Sequence, residues 1–465
     1  MKKYDVIVIG SGGGSKITSP AARLGYKVAC IEKDKLGGTC LNRGCIPSKM
    51  LIHPADVVSE IRAASVFDIH VDTNFSVDFA KLIQRISETV DGDSSRIEAG
   101  YAKNPNIDYY HGEAKFVSDK IVTVNGEELT ADKIFIGVGT RPHMPSIKGL
   151  EGTPFMTSTE ALRNQTLPRK LIVIGGGYIA VELGYAYAAL GSETHFLVRS
   201  RFLRGEDVEV AEEFTREFSK RHHVRLEAVV REVKYEGGEF TVAFETPEGQ
   251  QTLTAEALLV ATGIEANTDT LALENTGIQL KEHGLVKVDK HLQTTVEGVY
   301  ALGDCVGNYF FRHSVNFEGE YLFRQLFLGE QRHPIKYPPV PHAVFTRPQI
   351  AGVGATEEQL KYEGVDYVVG KNPYRSSGMG MALLSDHGFV KVLIGCKDRK
   401  ILGAHIIGPE ASNMIHMLIA LMNKNGTLDD LLNMIYIHPA LPEIVRNAAR
   451  KAEAVFQSHE DAVIK

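Results

Sequence analysis

The chain has 465 residues, 43% of them hydrophobic and 23% charged, with a formal net charge of −7. At roughly 150 residues per domain that length suggests about three globular domains. The acidic balance excludes the basic surface expected of a nucleic-acid or anionic-membrane binder. The apolar run at residues 6–9, behind Met1-Lys2-Lys3, is too short for a secretory signal. No stretch reaches the ~20 apolar residues of a membrane span. Five cysteines, Cys30, Cys40, Cys45, Cys305 and Cys396, are too few for a disulphide-stapled secreted protein. A soluble protein of the cytoplasm is therefore expected, where any close cysteine pair suggests redox chemistry.

In chain order, a first strand is expected at residues 4–9, followed by glycines, a helical stretch to about residue 24, and a second strand at 27–31 that ends on Glu32. That is a βαβ opening. The layout recurs with a strand at 171–174, the turn Gly175-Gly176-Gly177, a helix at 178–190 and a strand at 193–198. Two such folds suggest two nucleotides. Segments 134–139 and 258–263 read as buried strands ending in glycine, where the chain crosses between domains. From about Tyr337 the pattern becomes α+β, with strands at 390–394 and 401–407 before helices starting near Ala411 and Leu428.

The run Gly10-Ser11-Gly12-Gly13-Gly14-Ser15 nearly matches G-x-G-x-x-G. Gly10 permits the tight turn, and Gly12 lets backbone approach a pyrophosphate at a helix N-terminus. Ser15 stands in place of the third glycine. Glu32 falls where an acid binds a ribose hydroxyl. The plainer alternative is a glycine-rich turn without ligand. The second motif, Gly175-x-Gly177-x-x-Ala180, leads to a strand that ends without an acid, in Val198-Arg199-Ser200-Arg201-Phe202-Leu203-Arg204. A carboxylate there would repel a 2′-phosphate, whereas Arg199 and Arg204 would hold one. A solvated basic loop is the alternative.

Cys40 and Cys45 sit in GGTCLNRGCIPSK at 37–49. Residues five apart on an ideal helix are about 7.5 Å apart along its axis, while a disulphide needs Cα atoms roughly 4.4–6.8 Å apart. The loop between them must curl, which Gly44 eases. A reduced pair at a helix start would have a depressed thiolate pKa. Cys30, Cys305 and Cys396 read as core residues. No metal site is assigned.

Together with VGTRP at 138–142, GGGYIAVE at 175–182, ATG at 261–263, VYALGD at 299–304, VFTRPQIAGVG at 344–354, LGAHIIG at 402–408 and HPALPE at 438–443, these motifs resemble the pyridine nucleotide-disulphide oxidoreductase family. The resemblance covers nearly the whole chain, in the family's order. It implies an α/β fold of two Rossmann-like dinucleotide-binding domains plus an α+β C-terminal dimerisation domain. The implied division is an FAD-binding domain at 1–145, an NAD(P)-binding domain at 146–265, the second part of the FAD-binding domain at 266–336 and an interface domain at 337–465. It also implies bound FAD, a nicotinamide nucleotide and a homodimer.

The resemblance further assigns Cys40 as the exchange thiol and Cys45 as the charge-transfer thiol beside the flavin. His438 becomes the general acid–base, held by Glu443 and supplied by the partner subunit. Lys49 and Glu182 resemble the ion pair near the flavin, Tyr178 the gate over the nicotinamide pocket, and Asp304 the ribityl ligand. Thr39, Ala114, Thr140, Arg312 and His313 fall among FAD contacts, and Val230 and Gly263 on the nucleotide side. Ile264 stands where the family usually has arginine, and Asn413 where dihydrolipoamide dehydrogenases carry glutamate. The tail KAEAVFQSHEDAVIK lacks the cysteines of mercuric reductases, and no metal-capture domain precedes the first strand. Mercury reduction is not expected.

Arg199 matches the first arginine of NADPH-dependent glutathione reductases, and FRHSVNFE at 311–318 with IHPALPE at 437–443 resembles mycothione reductases. The expected activity is NADPH-dependent reduction of a low-molecular-weight thiol disulphide. The alternatives are a dihydrolipoamide dehydrogenase-like enzyme using NAD and a flavoprotein redox sensor or complex subunit. No nucleic-acid or membrane partner is expected.

Overall fold

A computed structural model describes residues 1–463, with side chains through Ser458; the end of the cysteine-free tail lies outside the described residues. The first sheet is ordered Ile107–His111, Val28–Glu32, Lys2–Ile9, Glu127–Ile136, Ile121–Val124, Lys115–Ser118. Its centre is parallel, with Val6 opposite Val28 and Ile7 opposite Ile134. Val6, Ile7 and Val8 are all fully buried, because helices or sheet cover both faces of a parallel strand. Late in the chain Val299–Ala301 returns to this sheet, parallel to Glu127–Ile136.

A second, fully parallel sheet is ordered His223–Arg225, Glu193–Leu197, Lys170–Ile174, Ala257–Val260. The chain leaves the first sheet after Ile136 and comes back from the second after Val260. These two connections run side by side, Thr140–Pro142 pairing antiparallel with Ile264–Ala266. A three-stranded antiparallel sheet, Val229–Glu236, Glu239–Thr246 and Gly249–Ala255, packs Val233, Phe240, Val242 and Phe244 against the second sheet. The last region is a five-stranded antiparallel sheet ordered His342–Val344, Ile350–Gly354, Ile401–Ile407, Phe389–Gly395, Tyr367–Pro373. Helices Ala411–Met422 and Glu443–Val463 bury Ile415, Leu418, Ala448 and Ala452 in its core.

Three differences from the sequence reading have local causes. The first helix, Ser11–Arg23, begins inside the glycine run rather than after it. The cysteines lie on two helices, Gly38–Arg43 and Cys45–Ala63, broken at Gly44, rather than on a curled loop. Cys30 and Cys305 are fully buried, but Cys396 is exposed, one residue past the strand Phe389–Gly395 in its hairpin turn.

Candidate active site

Gly10 ends the first strand with φ 93°, and a Cβ there would lie 2.3 Å from the Gly137 carbonyl oxygen. Gly175 repeats this in the second sheet, with φ 137° and a Cβ position 2.2 Å from the Ala261 oxygen. At both strand ends only glycine lets the chain turn into the following helix against a neighbouring strand. In the first fold Glu32 reaches that helix start. Its Oε2 accepts from the Ser11 amide at 2.9 Å and the Ser11 hydroxyl at 2.8 Å. A carboxylate beside exposed helix amides is electrostatically favoured.

Gly38, the residue before Thr39, and Arg312 approach Gly12 in this turn, and Thr140 meets Asp304. Thr140 Oγ1 donates to Asp304 Oδ2 at 3.1 Å, and burial pushes the Asp304 carboxyl above its ordinary range. Arg312 opens the helix Arg312–Phe327 and places Nη1 3.8 Å from where a Cβ on Gly12 would lie. Among the described residues no hydrogen bond or ion pair occupies its guanidinium. A helix N-terminus, an acid at the end of the second strand, a buried carboxylate and an uncommitted guanidinium fit the pyrophosphate and hydroxyls of a dinucleotide. Ala114 is buried in the sheet core beside Ala29 and Ile31. His313 Nε2 lies 2.8 Å from the Pro341 carbonyl oxygen.

Cys40 and Cys45 are both free thiols here. Gly44 between them has no room for a side chain, since a Cβ would lie 2.9 Å from Thr39 O and 3.4 Å from Cys40 Cα. That approach folds the second helix start back onto the first helix. The Cys45 thiol donates to Cys40, and this bond, then Arg312 and Lys49, lowers Cys40 to about 7. The same bond, with burial, raises Cys45. Lys49 favours a thiolate on either sulphur, and Arg312 favours one on Cys40.

Lys49, one turn along the Cys45–Ala63 helix, crosses to the second fold. Its ammonium lies 2.6 Å from Glu182 Oε2 and 4.4 Å from the centre of the Phe345 ring. The Phe345 amide donates to Glu182 Oε1 at 2.9 Å. Burial raises the Glu182 carboxyl, and Lys49 opposes that rise. One ion pair therefore joins both dinucleotide folds and the last region.

Tyr178 begins the helix of the second fold and donates to Glu206 Oε1 at 2.7 Å, while His342 Nε2 lies 2.9 Å from Glu206 Oε2. Its ring lies 6.3 Å from Phe311, the residue before Arg312, and stacks 6.4 Å from His342. Burial raises the Tyr178 phenol, whereas His342 and Tyr178 hold buried Glu206 low despite its burial. Sequence reasoning missed Glu206, His342 and Phe345. Phe345 lies in the motif at 344–354 without having been assigned a role, no motif marks Glu206 or His342, and the packing of three regions brings them together.

At the second glycine turn, Leu203 donates to the Gly176 carbonyl at 2.7 Å, so the arginine loop folds back over Gly175 and Gly177. Val198 is buried, and Arg199 and Arg204 are exposed. Neither arginine side chain forms an ion pair among the described residues. Val230 packs on the core beneath, against Ile174 and Leu197. Gly263, φ 141°, lies at the crossing, its carbonyl accepting from His143 at 2.9 Å.

His438 and Glu443 stand apart from this centre. His438 Nδ1 is 3.0 Å from Glu443 Oε2, and the imidazole is 75% exposed. Against the cost of burial, the Ala440 amide, His438 and Arg446 keep the Glu443 carboxyl low. Within one chain, no hydrogen bond among the described residues links His438 to either cysteine. Beside it Ile435 and Ile437 are 101% and 81% exposed.

The family model for pyridine nucleotide-disulphide oxidoreductases matches residues 4–320, and that for the family's dimerisation domain matches residues 340–449. The chain is 36% identical to a dihydrolipoyl dehydrogenase of Bacillus subtilis (strain 168) over 457 residues, covering 96% of each. It is 35% identical to the mycothione reductase of Mycobacterium tuberculosis over 463 residues, covering 96% of this chain and 99% of that one. The structure of the HOCl-induced flavoprotein disulphide reductase RclA from Escherichia coli superposes with a TM-score of 0.84 at 29% identity, over 97% of this chain and 100% of that chain. The chain belongs to the class I pyridine nucleotide-disulphide oxidoreductases and is an NAD(P)H:disulphide oxidoreductase.

Proposed function

We propose that this flavoprotein carries electrons from NADPH to a low-molecular-weight thiol disulphide through FAD and the Cys40–Cys45 pair. The observation that carries the NADPH half is the end of the strand Glu193–Leu197. There Val198 is apolar and buried, and Arg199 and Arg204 are exposed without acidic partners beside the Gly175–Gly177 turn. Val198 offers no acceptor to a ribose 2′-hydroxyl, while two guanidinium groups suit a 2′-phosphate.

FAD, when bound, relays an electron pair between nicotinamide and cysteine pair. The chain's own groups do the rest. Gly10, Gly12, Glu32, Thr39, Thr140, Asp304 and Arg312 would hold it, and Tyr178, held by Glu206, would line the nicotinamide pocket. Cys40, held as thiolate by Cys45, Arg312 and Lys49, attacks the substrate disulphide. The mixed disulphide resolves when Cys45 attacks Cys40 and releases the second thiol. His438, oriented by Glu443, protonates the leaving thiolate from the partner subunit. The dimer accounts for Ile435 and Ile437, whose exposure beside His438 is otherwise costly.

We divide the chain at residues 145, 265 and 336, which keeps the two parallel sheets apart, returns the strand Val299–Ala301 to the first, and puts the paired crossings Thr140–Pro142 and Ile264–Ala266 at the boundary. No helix among the described residues is long and apolar enough to cross a membrane. A second reading, NAD-dependent oxidation of dihydrolipoamide, draws on the identity to dihydrolipoyl dehydrogenases. Asn413 weighs against it. The deciding experiment is a panel of glutathione, mycothiol, coenzyme A and trypanothione disulphides and lipoamide, each with NADPH and NADH. Turnover of one small disulphide with NADPH is expected; dominant turnover of lipoamide with NADH overturns the reading.

A further inference from the structure

At the outer edge of the second sheet, three side chains have no part in the redox chemistry. His195 and His223 are direct register partners on adjacent parallel strands, so their side chains share a face. Glu193, two residues before His195, lies on that face as well. The imidazole rings stack, with centroids 4.5 Å apart and planes 14° from parallel. One ligand atom from each of the three lies within 4.8 Å of the other two.

The stack is unusual for what it leaves undone. His195 is 7% exposed. Its Nε2 lies 2.7 Å from Glu193 Oε1, and its buried Nδ1 has no hydrogen-bond partner. Buried polar atoms are ordinarily paired, and an orphan calls for an explanation.

We propose that Glu193, His195 and His223 form a site for a divalent cation of the Zn2+, Cu2+ or Ni2+ class. Two imidazoles and a carboxylate suit these ions, whereas Mg2+ and Ca2+ prefer all-oxygen sets. With metal–nitrogen bonds of about 2.0–2.1 Å, tetrahedral ligand atoms lie about 3.3 Å apart. The three ligand atoms lie within 4.8 Å of one another, and the two exposed members can adjust to that spacing. His195 is fixed in the sheet, while the side chains of Glu193 and His223 reach solvent. Lys170, 3.5 Å from Glu193 Oε1, must swing away, which its partly exposed chain permits. Water completes the shell. The bound cation would tie the edge strand His223–Arg225 to Glu193–Leu197. Those strands end where Val198 donates to the Arg225 carbonyl at 2.9 Å, at the root of the arginine loop.

The test uses the flavin-loaded protein with its free thiols carbamidomethylated, so that cysteines cannot take the metal. Calorimetric titration with Zn2+ should show one ion per chain. His223→Ala, at an exposed position that leaves folding intact, should weaken binding at least tenfold, and Glu193→Gln severalfold. With one equivalent of Cu2+, electron paramagnetic resonance should show splitting from two imidazole nitrogens in the parent protein and from one in His223→Ala. Zn2+ binding that His223→Ala leaves unchanged, no binding at all, or identical Cu2+ spectra would overturn the site.

Discussion

Replacing Lys49 by methionine removes the ammonium that faces Glu182 and keeps the length of the side chain. Glu182 would then be left with one donor, the Phe345 amide. Removing one partner of a buried ion pair costs about 3–5 kcal/mol. The Lys49 side chain is 37% exposed, so solvent screening brings the expected loss to about 2–3 kcal/mol. The pH dependence is more diagnostic than the size. Burial already raises the folded-state pKa of Glu182 above its ordinary 4.5, and Lys49 lowers it. In Lys49→Met it rises further. A carboxyl with a raised folded pKa gives stability that is full below the unfolded pKa and lost as pH climbs through the folded pKa. Parent and variant should therefore differ least near pH 4.5. The gap should widen with pH, by at most about 1.4 kcal/mol per unit, until the variant's Glu182 ionises. Urea midpoints measured on both proteins between pH 4.5 and 8 give the comparison. Glu182→Gln in the Lys49→Met background should remove the pH-dependent part. A gap that does not change with pH, or that survives Glu182→Gln, refutes the argument.

Three further outcomes are expected. Iodoacetamide should alkylate Cys40 of the reduced protein with a midpoint near pH 7; Cys45→Ala, which removes the donor, should move that midpoint up, and peptide mass mapping that finds no change would show that Cys45 does not hold the thiolate. His438→Ala should slow disulphide turnover by about 10²–10⁴ while flavin reduction by the nicotinamide nucleotide survives in stopped-flow traces; equal loss of both half-reactions would make His438 structural. Arg199→Ala should raise KM for NADPH by about 2–5-fold, the scale of one exposed charge-assisted contact, and leave KM for NADH nearly unchanged; uniform weakening would place Arg199 on the fold or the pyrophosphate.

What the sequence disclosed depended on whether a feature is local. The two glycine turns were legible because strand, turn and helix follow one another, and Gly10 and Gly175 each answer a single close carbonyl. The cysteine pair was legible from its spacing, although the spacing did not show that Gly44 breaks one helix into two. The antiparallel sheet over residues 229–255 went unread despite local signals: Gly237-Gly238 turns its first hairpin, and Phe240, Val242 and Phe244 alternate inward. Glu206 and His342 carried no such signal. Each is an ordinary polar residue until the last region packs His342 against Tyr178. The same holds for His195 and His223, which a whole helix, Val208–Ser219, separates in sequence and a parallel register makes neighbours. His438 is the reverse case. Its motif is plain in the sequence, yet one chain leaves its imidazole largely in solvent, with Glu443 as its acidic partner among the described residues. Arg446 and the Ala440 amide both donate to Glu443, on a face lined by exposed Ile435 and Ile437, and it is this combination of a fixed carboxylate, an exposed imidazole and apolar neighbours that motivates the proposal of a second subunit there.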